Sequence, residues 1–233
     1  MTNARPGPRG DCNKMEDFAV ARTKMVDSQL RTENVTDYDV LAAMGVVPRE
    51  LFVPPDQRAL AYLDKDIPIG GASRRYLMEA APFARLLQLA EISKTDRVLD
   101  VGCGAGYSAA VLASLAGSVM AIESDPALAA QATRNLASLG IKNASANVNA
   151  LEEGYPPGGP YDVILLDGAV ERIPDSLFDQ LKNGGRLVAV VGYGRAAQAT
   201  LFTRSDHEIG RRPAFNADVP PLPGFRKPEV FVF

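Results

Sequence analysis

The sequence predicts an α/β fold: a mostly parallel, doubly wound sheet with an N-terminal helical extension. Three observations carry this expectation. Helical and strand patterns alternate from Tyr76 onward. The short apolar strand Arg97 to Val101 runs straight into a glycine-rich turn and then a helical pattern. Tyr161 to Leu166 is almost continuously apolar, as strands buried on both faces of a parallel sheet are.

The chain divides into three sections. Residues 1–14, MTNARPGPRGDCNK, lack the apolar core of a secretory signal and read as a disordered tail. Residues 15–75 form a mostly helical extension. Phe18 to Leu30 has helical spacing, and Asp37 is placed to cap a helix from Tyr38 to Met44. Pro48, Pro54, Pro55 and Pro68 then prevent long regular elements. Residues 76–233 form the main domain.

Within that domain a helix is expected from Tyr76 to Ile92, a strand from Arg97 to Val101 and a helix to Ala116. A strand follows at Ser118 to Ile122. Pro126 sits where proline is tolerated, in the first turn of a helix to Leu139 that Gly140 stops. A strand near Ala144 to Val148 leads into a loop rich in Pro and Gly, then the strand Tyr161 to Leu166. Ile173 to Leu181 reads as helix, Asn183-Gly184-Gly185 as a stop, and Arg186 to Val191 as another strand. Ala199 to Arg204, Glu208 to Pro213 and Glu229 to Phe233 could add antiparallel strands.

Composition narrows the function. The 233 residues are 46% hydrophobic, enough for a full core, and the formal charge of −3 argues against a protein dominated by nucleic-acid backbone binding. No stretch has the length and apolarity of a membrane span. The two cysteines, Cys12 and Cys103, form neither a disulfide framework nor a metal cluster, so no metal is expected and a reducing cytoplasm is the simplest setting. His207 is the only histidine, and no Gly-x-Ser-x-Gly elbow accompanies it, so it reads as a surface residue rather than part of a triad.

The chemistry concentrates at Asp100-Val101-Gly102-Cys103-Gly104-Ala105-Gly106. Glycines there let the backbone turn tightly and let a ligand approach where a Cβ would block it. The dinucleotide fingerprint fails, because its third glycine or alanine position, counted from Gly102, is Tyr107. A carboxylate just before the glycines suits the cationic amino-acid portion of S-adenosylmethionine (SAM) and repels a pyrophosphate. The section therefore reads as a Rossmann-like SAM-binding domain, with another nucleotide or a plain tight turn as the alternatives. Cys103 reads as a small residue in that turn.

Other candidates follow the strand ends, where ligands bind in such sheets. Glu123, with Ser124 beside it, can accept both ribose hydroxyls, or else it is a solvated acid at a helix start. Ser124 and Asp125 could cap the helix behind Pro126. After the next strand come Asn149 and Ala150, where an acid would hold the adenine amine. The chain has none there, which leaves a backbone carbonyl, Asn149 or Glu152. Asp167 could face the cofactor or substrate, or cap a helix. The Asn/Asp-Pro-Pro-aromatic run common in base-amino methyltransferases is missing after this strand.

Several segments together resemble the protein-L-isoaspartate O-methyltransferase family: MVDSQLR, VLAAMGVVPRELFVP, AYLDKDIPIG, RVLDVGCGAGYSAAVLA, VMAIE, YDVILLDGAVERIP and LKNGGRLVAVVG. They cover most of residues 25–192 in the family's order, and VPRELFVP and IPIG are the more specific part. The resemblance implies a SAM-dependent enzyme that methylates the α-carboxylate of isoaspartyl residues in damaged proteins or peptides, with S-adenosylhomocysteine (SAH) as product. The acceptor loop departs from the family. Where the family has a Gly-x-Thr-Ile-Ser-type run, this chain has Gly70-Gly71-Ala72-Ser73-Arg74-Arg75. Ser73 supplies a hydroxyl, and Arg74 and Arg75 are expected either to bind an acceptor carboxylate or to form a solvated loop tip. Two other functions stay open on sequence: a methyltransferase of the same fold with another acceptor, and a SAM- or nucleoside-binding protein without catalysis.

Overall fold

The computed structural model describes residues 10–206 and 208–226, with the backbone alone at 10–16. Residues 1–9, His207 and the expected strand Glu229 to Phe233 lie outside the described residues.

The extension begins with α1 (Gly10–Met25), which starts inside the segment expected as a tail and continues through a wider turn over Val26–Leu30 and a 3-10 turn over Arg31–Glu33. Asp37 caps α2 (Tyr38–Val46), its carboxylate accepting the N–H of Asp39 at 2.9 Å and of Val40 at 3.1 Å. The proline-rich stretch that follows forms only short turns, Arg49–Phe52 and Pro55–Leu60. Next comes an antiparallel hairpin, β1 (Ile67–Gly70) and β2 (Arg75–Leu77).

Here the expected helix from Tyr76 is corrected. Tyr76 lies in β2, and the helix α3 runs over Ala80–Ala90. The hairpin buries Ile67, Ile69, Arg75 and Leu77 and exposes Pro68, Gly70 and Tyr76, a period of two. Three residues of β2 are too few for that period to register against a helical pattern beside it. α3 ends at Glu91, which takes a left-handed conformation. Arg186 donates to the carbonyls of Ala90 and Glu91 and pairs with Asp96 at 2.7 Å, satisfying the helix end.

The main sheet then forms from β3 (Arg97–Val101), β4 (Ser118–Glu123), β5 (Ala144–Val148), β6 (Tyr161–Val170), β7 (Leu181–Val191), β8 (Gln198–Ser205) and β9 (Glu208–Asn216). Between them run α4 (Tyr107–Leu115), α5 (Pro126–Ser138) and α6 (Asp175–Asp179). The strand order is β5-β4-β3-β6-β7-β8-β9, parallel as far as β7 and antiparallel beyond. Asn183-Gly184-Gly185 does not stop the chain. It bulges β7, whose Leu181 and Arg186 pair with Tyr161 and Val163 of β6. Gly184, with φ +78°, supplies the left-handed residue such a bulge needs.

Strand side chains alternate between two cores. Val98, Val163, Leu165, Val188 and Val190 face the extension and α3, α4 and α5. Leu99, Val101, Ile164, Leu166, Leu187 and Ala189 face α6 and the segment carrying Leu222 and Phe225. The chain crosses from β5 back to β6 beside β3, so β3 and β6 flank the switch point, where ligands bind in such sheets.

The extension is anchored to the hairpin exit by Arg49, 1% exposed, from the VPRELFVP segment. Its Nε donates to the Ala61 carbonyl at 2.8 Å, and a terminal nitrogen donates to the Met78 carbonyl. Its guanidinium stands 5.0 Å from the centroid of the Tyr107 ring, in cation–π range. Tyr107 packs in turn on Phe52 and Phe83. Replacing Arg49 by alanine removes charged hydrogen bonds and leaves a large cavity. Arg49→Ala should destabilise the fold by about 3–5 kcal/mol, read by urea denaturation. A loss of less than about 1 kcal/mol would mean that Arg49 is not the anchor.

Candidate active site

β3 ends in the glycine turn because three glycines there take positive φ: +89° at Gly102, +54° at Gly104 and +96° at Gly106. The N–H groups of Gly102 and Cys103 both donate to the Ile122 carbonyl, which fastens the turn to β4. A Cβ at Gly106 would stand 2.9 Å from that of Ala132, so this glycine lets α5 approach. The turn delivers α4, whose Ser108 hydroxyl donates to Asp100 Oδ2 at 2.6 Å.

Asp100 is wholly buried, and its Oδ1 has no partner. Asp167, in the register break of β6 between Leu165 and Ala169, likewise keeps a buried Oδ1 without a partner. Burial first, and then the neighbouring Asp167 charge, push the Asp100 carboxyl well above the usual range. Burial also raises Asp167, to about 6, against the opposing charge of Arg75. Two carboxyl groups that each keep a buried, unpartnered oxygen at a switch point form a site for a cation.

Glu123 ends β4 and is 0% exposed. Its Oε2 accepts from Gly104 N at 2.9 Å and Arg75 Nε at 3.1 Å. Its Oε1 accepts from Ser124 N at 2.8 Å, Ser124 Oγ at 3.1 Å and Asp125 N at 3.2 Å. Arg75, itself 3% exposed, also donates to the Gly102 carbonyl at 2.5 Å.

The sequence-predicted residues therefore divide. Asp100, Gly102, Cys103, Gly104, Glu123 and Asp167 come together at the carboxyl ends of β3 and β4 and the register break of β6, while Gly106 serves helix packing. Cys103 is buried, and burial, with the charges of Asp100 and Glu123 next, holds its thiol far above the reactive range. Ser124 joins Glu123. Asn149 is turned to local structure: its N–H donates to the Glu123 carbonyl and its Nδ2 to Gly154 O at 2.5 Å. Ala150 begins the short turn Leu151–Glu153, whose Glu152 carboxylate lies against Gly224.

The arginines expected to act as a pair are separated. Ser73 and Arg74 are exposed at the hairpin tip, with Arg74 at φ +51°. Arg75 alone enters the site. Strand alternation explains this, because β2 turns Arg75 and Leu77 inward and Tyr76 outward.

Asp125 is the helix cap the sequence offered, while its bond to the hairpin and the places of Ile69 and Leu222 escaped the sequence reading. Asp125 caps α5 and also accepts Ala72 N at 2.8 Å, tying the hairpin to α5; these backbone donors, Ala72 first, hold its carboxyl below the usual range. Ile69 reaches over Gly104, where a Cβ would stand 2.6 Å from its Cδ1. Leu222 reaches over Gly102, where a Cβ would stand 2.5 Å from its Cδ2 and 2.8 Å from Arg75 Nη2. Leu222 lies in Pro220-Pro221-Leu222-Pro223-Gly224, an extended run bonded to Ala169 of β6 on both sides. The prolines signal an extended path, but nothing in their spacing says which face it covers.

The residues suit a cationic nucleoside: a glycine turn, a two-oxygen acceptor on the adjacent strand, and two carboxyl groups that each keep a buried, unpartnered oxygen. Among the described residues, no group of three or more His, Cys, Asp or Glu side chains could hold a metal ion, and no helix is long and apolar enough to cross a membrane.

Asp167 gives a pH prediction. An unfolded aspartate ionises near 4, roughly, and the folded one at about 6. Between those values folding takes up a proton, so this group's contribution falls as pH rises across that window and stays low above it. Asp167→Asn should raise Tm by about 2–4 °C at pH 8 and leave it unchanged at pH 4. Equal shifts at both pH values would show that Asp167 ionises normally.

Comparison with known proteins gives the family. Residues 21–215 match the family model described as protein-L-isoaspartate(D-aspartate) O-methyltransferase. Protein-L-isoaspartate O-methyltransferase 1 of Rhodopseudomonas palustris (strain HaA2) is 43% identical over 184 residues, covering 78% of this chain and 73% of that protein. A solved protein-L-isoaspartate O-methyltransferase superposes with a TM-score of 0.75 at 27% identity, over 87% of this chain and 66% of that one. A second solved structure, from Plasmodium falciparum with S-adenosyl-L-homocysteine bound, shares the fold at a TM-score of 0.73 and 18% identity, over 86% of this chain and 97% of that one. By the extent of the family match and the identity to its curated members, this chain belongs to the protein-L-isoaspartate(D-aspartate) O-methyltransferase family.

Proposed function

We propose that this chain transfers the methyl group of SAM to the α-carboxylate of isoaspartyl residues in damaged proteins or peptides. Family membership makes it an enzyme, a SAM-dependent methyltransferase. The observation that carries the residue assignment is the pair of unpartnered buried oxygens on Asp100 and Asp167 beside the glycine turn. They would hold the cationic amino-acid end of SAM. Glu123, with Ser124, would hold the ribose hydroxyls, and Gly102, Cys103 and Gly104 would lie against the nucleoside. Asn149 and Ala150 would line the adenine end with backbone groups, since the Asn149 amide is engaged by Gly154.

Bound SAM supplies an electrophilic methyl group on sulfur. The acceptor carboxylate is ionised at neutral pH, so no general base is needed. The protein's part is to align the acceptor oxygen with the methyl group and to exclude water. We assign this to the β1–β2 hairpin, with Ile69 over the glycine turn and Arg75 facing the acceptor, while Ser73 and Arg74 stay exposed at the tip. The buried, unreactive Cys103 fits a reducing cytoplasm, which we take as the setting.

The deciding experiment is transfer of labelled methyl from SAM to an isoaspartyl peptide, with the aspartyl peptide as control. Label in the isoaspartyl peptide alone is expected, and equal label in both would reject the assigned acceptor. Gly104→Val tests the cofactor contact. Its Cβ would meet Ile69 and push the hairpin off the turn, so SAH affinity should fall by about 100-fold while the circular-dichroism spectrum stays folded. Unchanged affinity in calorimetry would move the nucleoside elsewhere.

A further inference from the structure

We propose that the Arg75 guanidinium exchanges carboxylate partners, holding Glu123 in the free protein and the acceptor's carboxylate once the cofactor's ribose has taken Glu123. The inference rests on the proposed isoaspartyl reaction and adds to it the residue that recognises the acceptor and the order in which the two ligands bind.

The starting state is direct. Arg75 Nε lies 3.1 Å from Glu123 Oε2, and both side chains are almost wholly buried. The guanidinium also holds the Gly102 carbonyl at 2.5 Å and comes within 2.8 Å of where a Gly102 Cβ would stand. It thus occupies the cradle that the glycines keep open. A fixed positive charge there faces Asp100, Asp167 and Glu123, the carboxylates assigned to a cationic nucleoside. The two cations compete for one site.

The carrier of Arg75 is a small hairpin outside the main sheet. β2 is three residues long and pairs only with β1. The tip between them, Gly71 to Arg74, is exposed, and two backbone bonds hold it: Ala72 N to Asp125, and Arg74 N to the Gly71 carbonyl. Neither lies in the main sheet. When ribose hydroxyls engage Glu123, the guanidinium loses its carboxylate inside a buried site. A charge in that position must find another partner or water. A planar guanidinium fork matches a carboxylate at two points, and the acceptor brings one. The free protein, with Arg75 committed to Glu123, offers the acceptor no such group. Cofactor therefore binds first.

The test uses the whole chain. In the wild type, the arginine Nε–H resonance that disappears in Arg75→Lys should be slowly exchanging without SAH and should shift or vanish at saturating SAH. An unchanged resonance overturns the exchange, and this measurement needs no variant to fold beyond the one that assigns the signal. In calorimetry, Arg75→Met, which keeps the stem and removes the guanidinium, should bind SAH about tenfold more tightly than wild type. Equal or weaker binding overturns the competition. An isoaspartyl peptide should bind the wild type only with SAH present, and its affinity should fall about tenfold or more in SAH-loaded Arg75→Met. Peptide binding that ignores SAH overturns the binding order. If SAH-loaded wild type shows no preference for isoaspartyl over aspartyl peptide, the isoaspartyl reading fails, and with it the acceptor half of the exchange. The resonance and the SAH affinities then still decide the competition at Glu123.

Discussion

Glu123 is the point on which the site depends. One carboxylate, closed off from water, joins four separate pieces of chain: the end of β4, the glycine turn, the start of α5, and the β1–β2 hairpin through Arg75. A buried charge persists only where it is paired and hydrogen-bonded on all sides. Glu123 meets this condition with five donors, and each donor fixes the segment that carries it. The glycine turn is held where a nucleoside would lie because its own amide is bound to Glu123. The same carboxylate is then the natural acceptor for the nucleoside's hydroxyls. On the proposed assignment, the protein's internal bonds and its ligand's bonds would be drawn from one set of lone pairs.

The extension contributes through packing. Arg49 spans from the turns after α2 to Met78 at the exit of the hairpin, and its face covers Tyr107 at the start of α4. Tyr107 directly follows Gly106. The family's most specific segment, VPRELFVP, is thus a clamp that fixes the hairpin and the first turn of α4 relative to each other. Among its side chains only the Arg49 charge is felt at a site carboxylate, Asp167, and it makes no bond there. Specificity of sequence here marks a demand of packing rather than of chemistry.

How much of this was legible follows from which signals are local. Asp37 and Pro126 announced α2 and α5 because capping and proline tolerance act within one turn. The parallel strands were legible because burial on both faces leaves continuous apolar runs. The hairpin was not, since its period-two pattern is shorter than the window in which periodicity shows, and Tyr76 beside Leu77 also suits a helix. Asn183-Gly184-Gly185 misled because the same residues serve a chain stop and a bulge, and only pairing with β6 distinguishes them. In the site, Asp100, the glycines and Glu123 were legible from their place after strands. The division of Arg74 from Arg75 was not, because alternation acts only once the strand is known. Leu222 lay beyond reach because its contact with Gly102 joins residues far apart in the chain.

These features resolve an electrostatic conflict in the site. Three carboxyl groups converge there, and the acceptor assigned to the site is itself an anion. In the closed, weakly screened interior, an isolated anion approaching Asp100, Asp167 and Glu123 is repelled. A cationic cofactor removes part of that repulsion, and burial does more, since it holds Asp100 and Asp167 toward their neutral forms until a cation arrives. What remains is attraction for the acceptor itself, which the proposed exchange assigns to the Arg75 guanidinium, in the loop where the family has its Gly-x-Thr-Ile-Ser-type run. The departed loop is therefore consistent with an anionic acceptor. It replaces neutral donors by a charged one, and that charge must be neutralised at Glu123 whenever no acceptor is present.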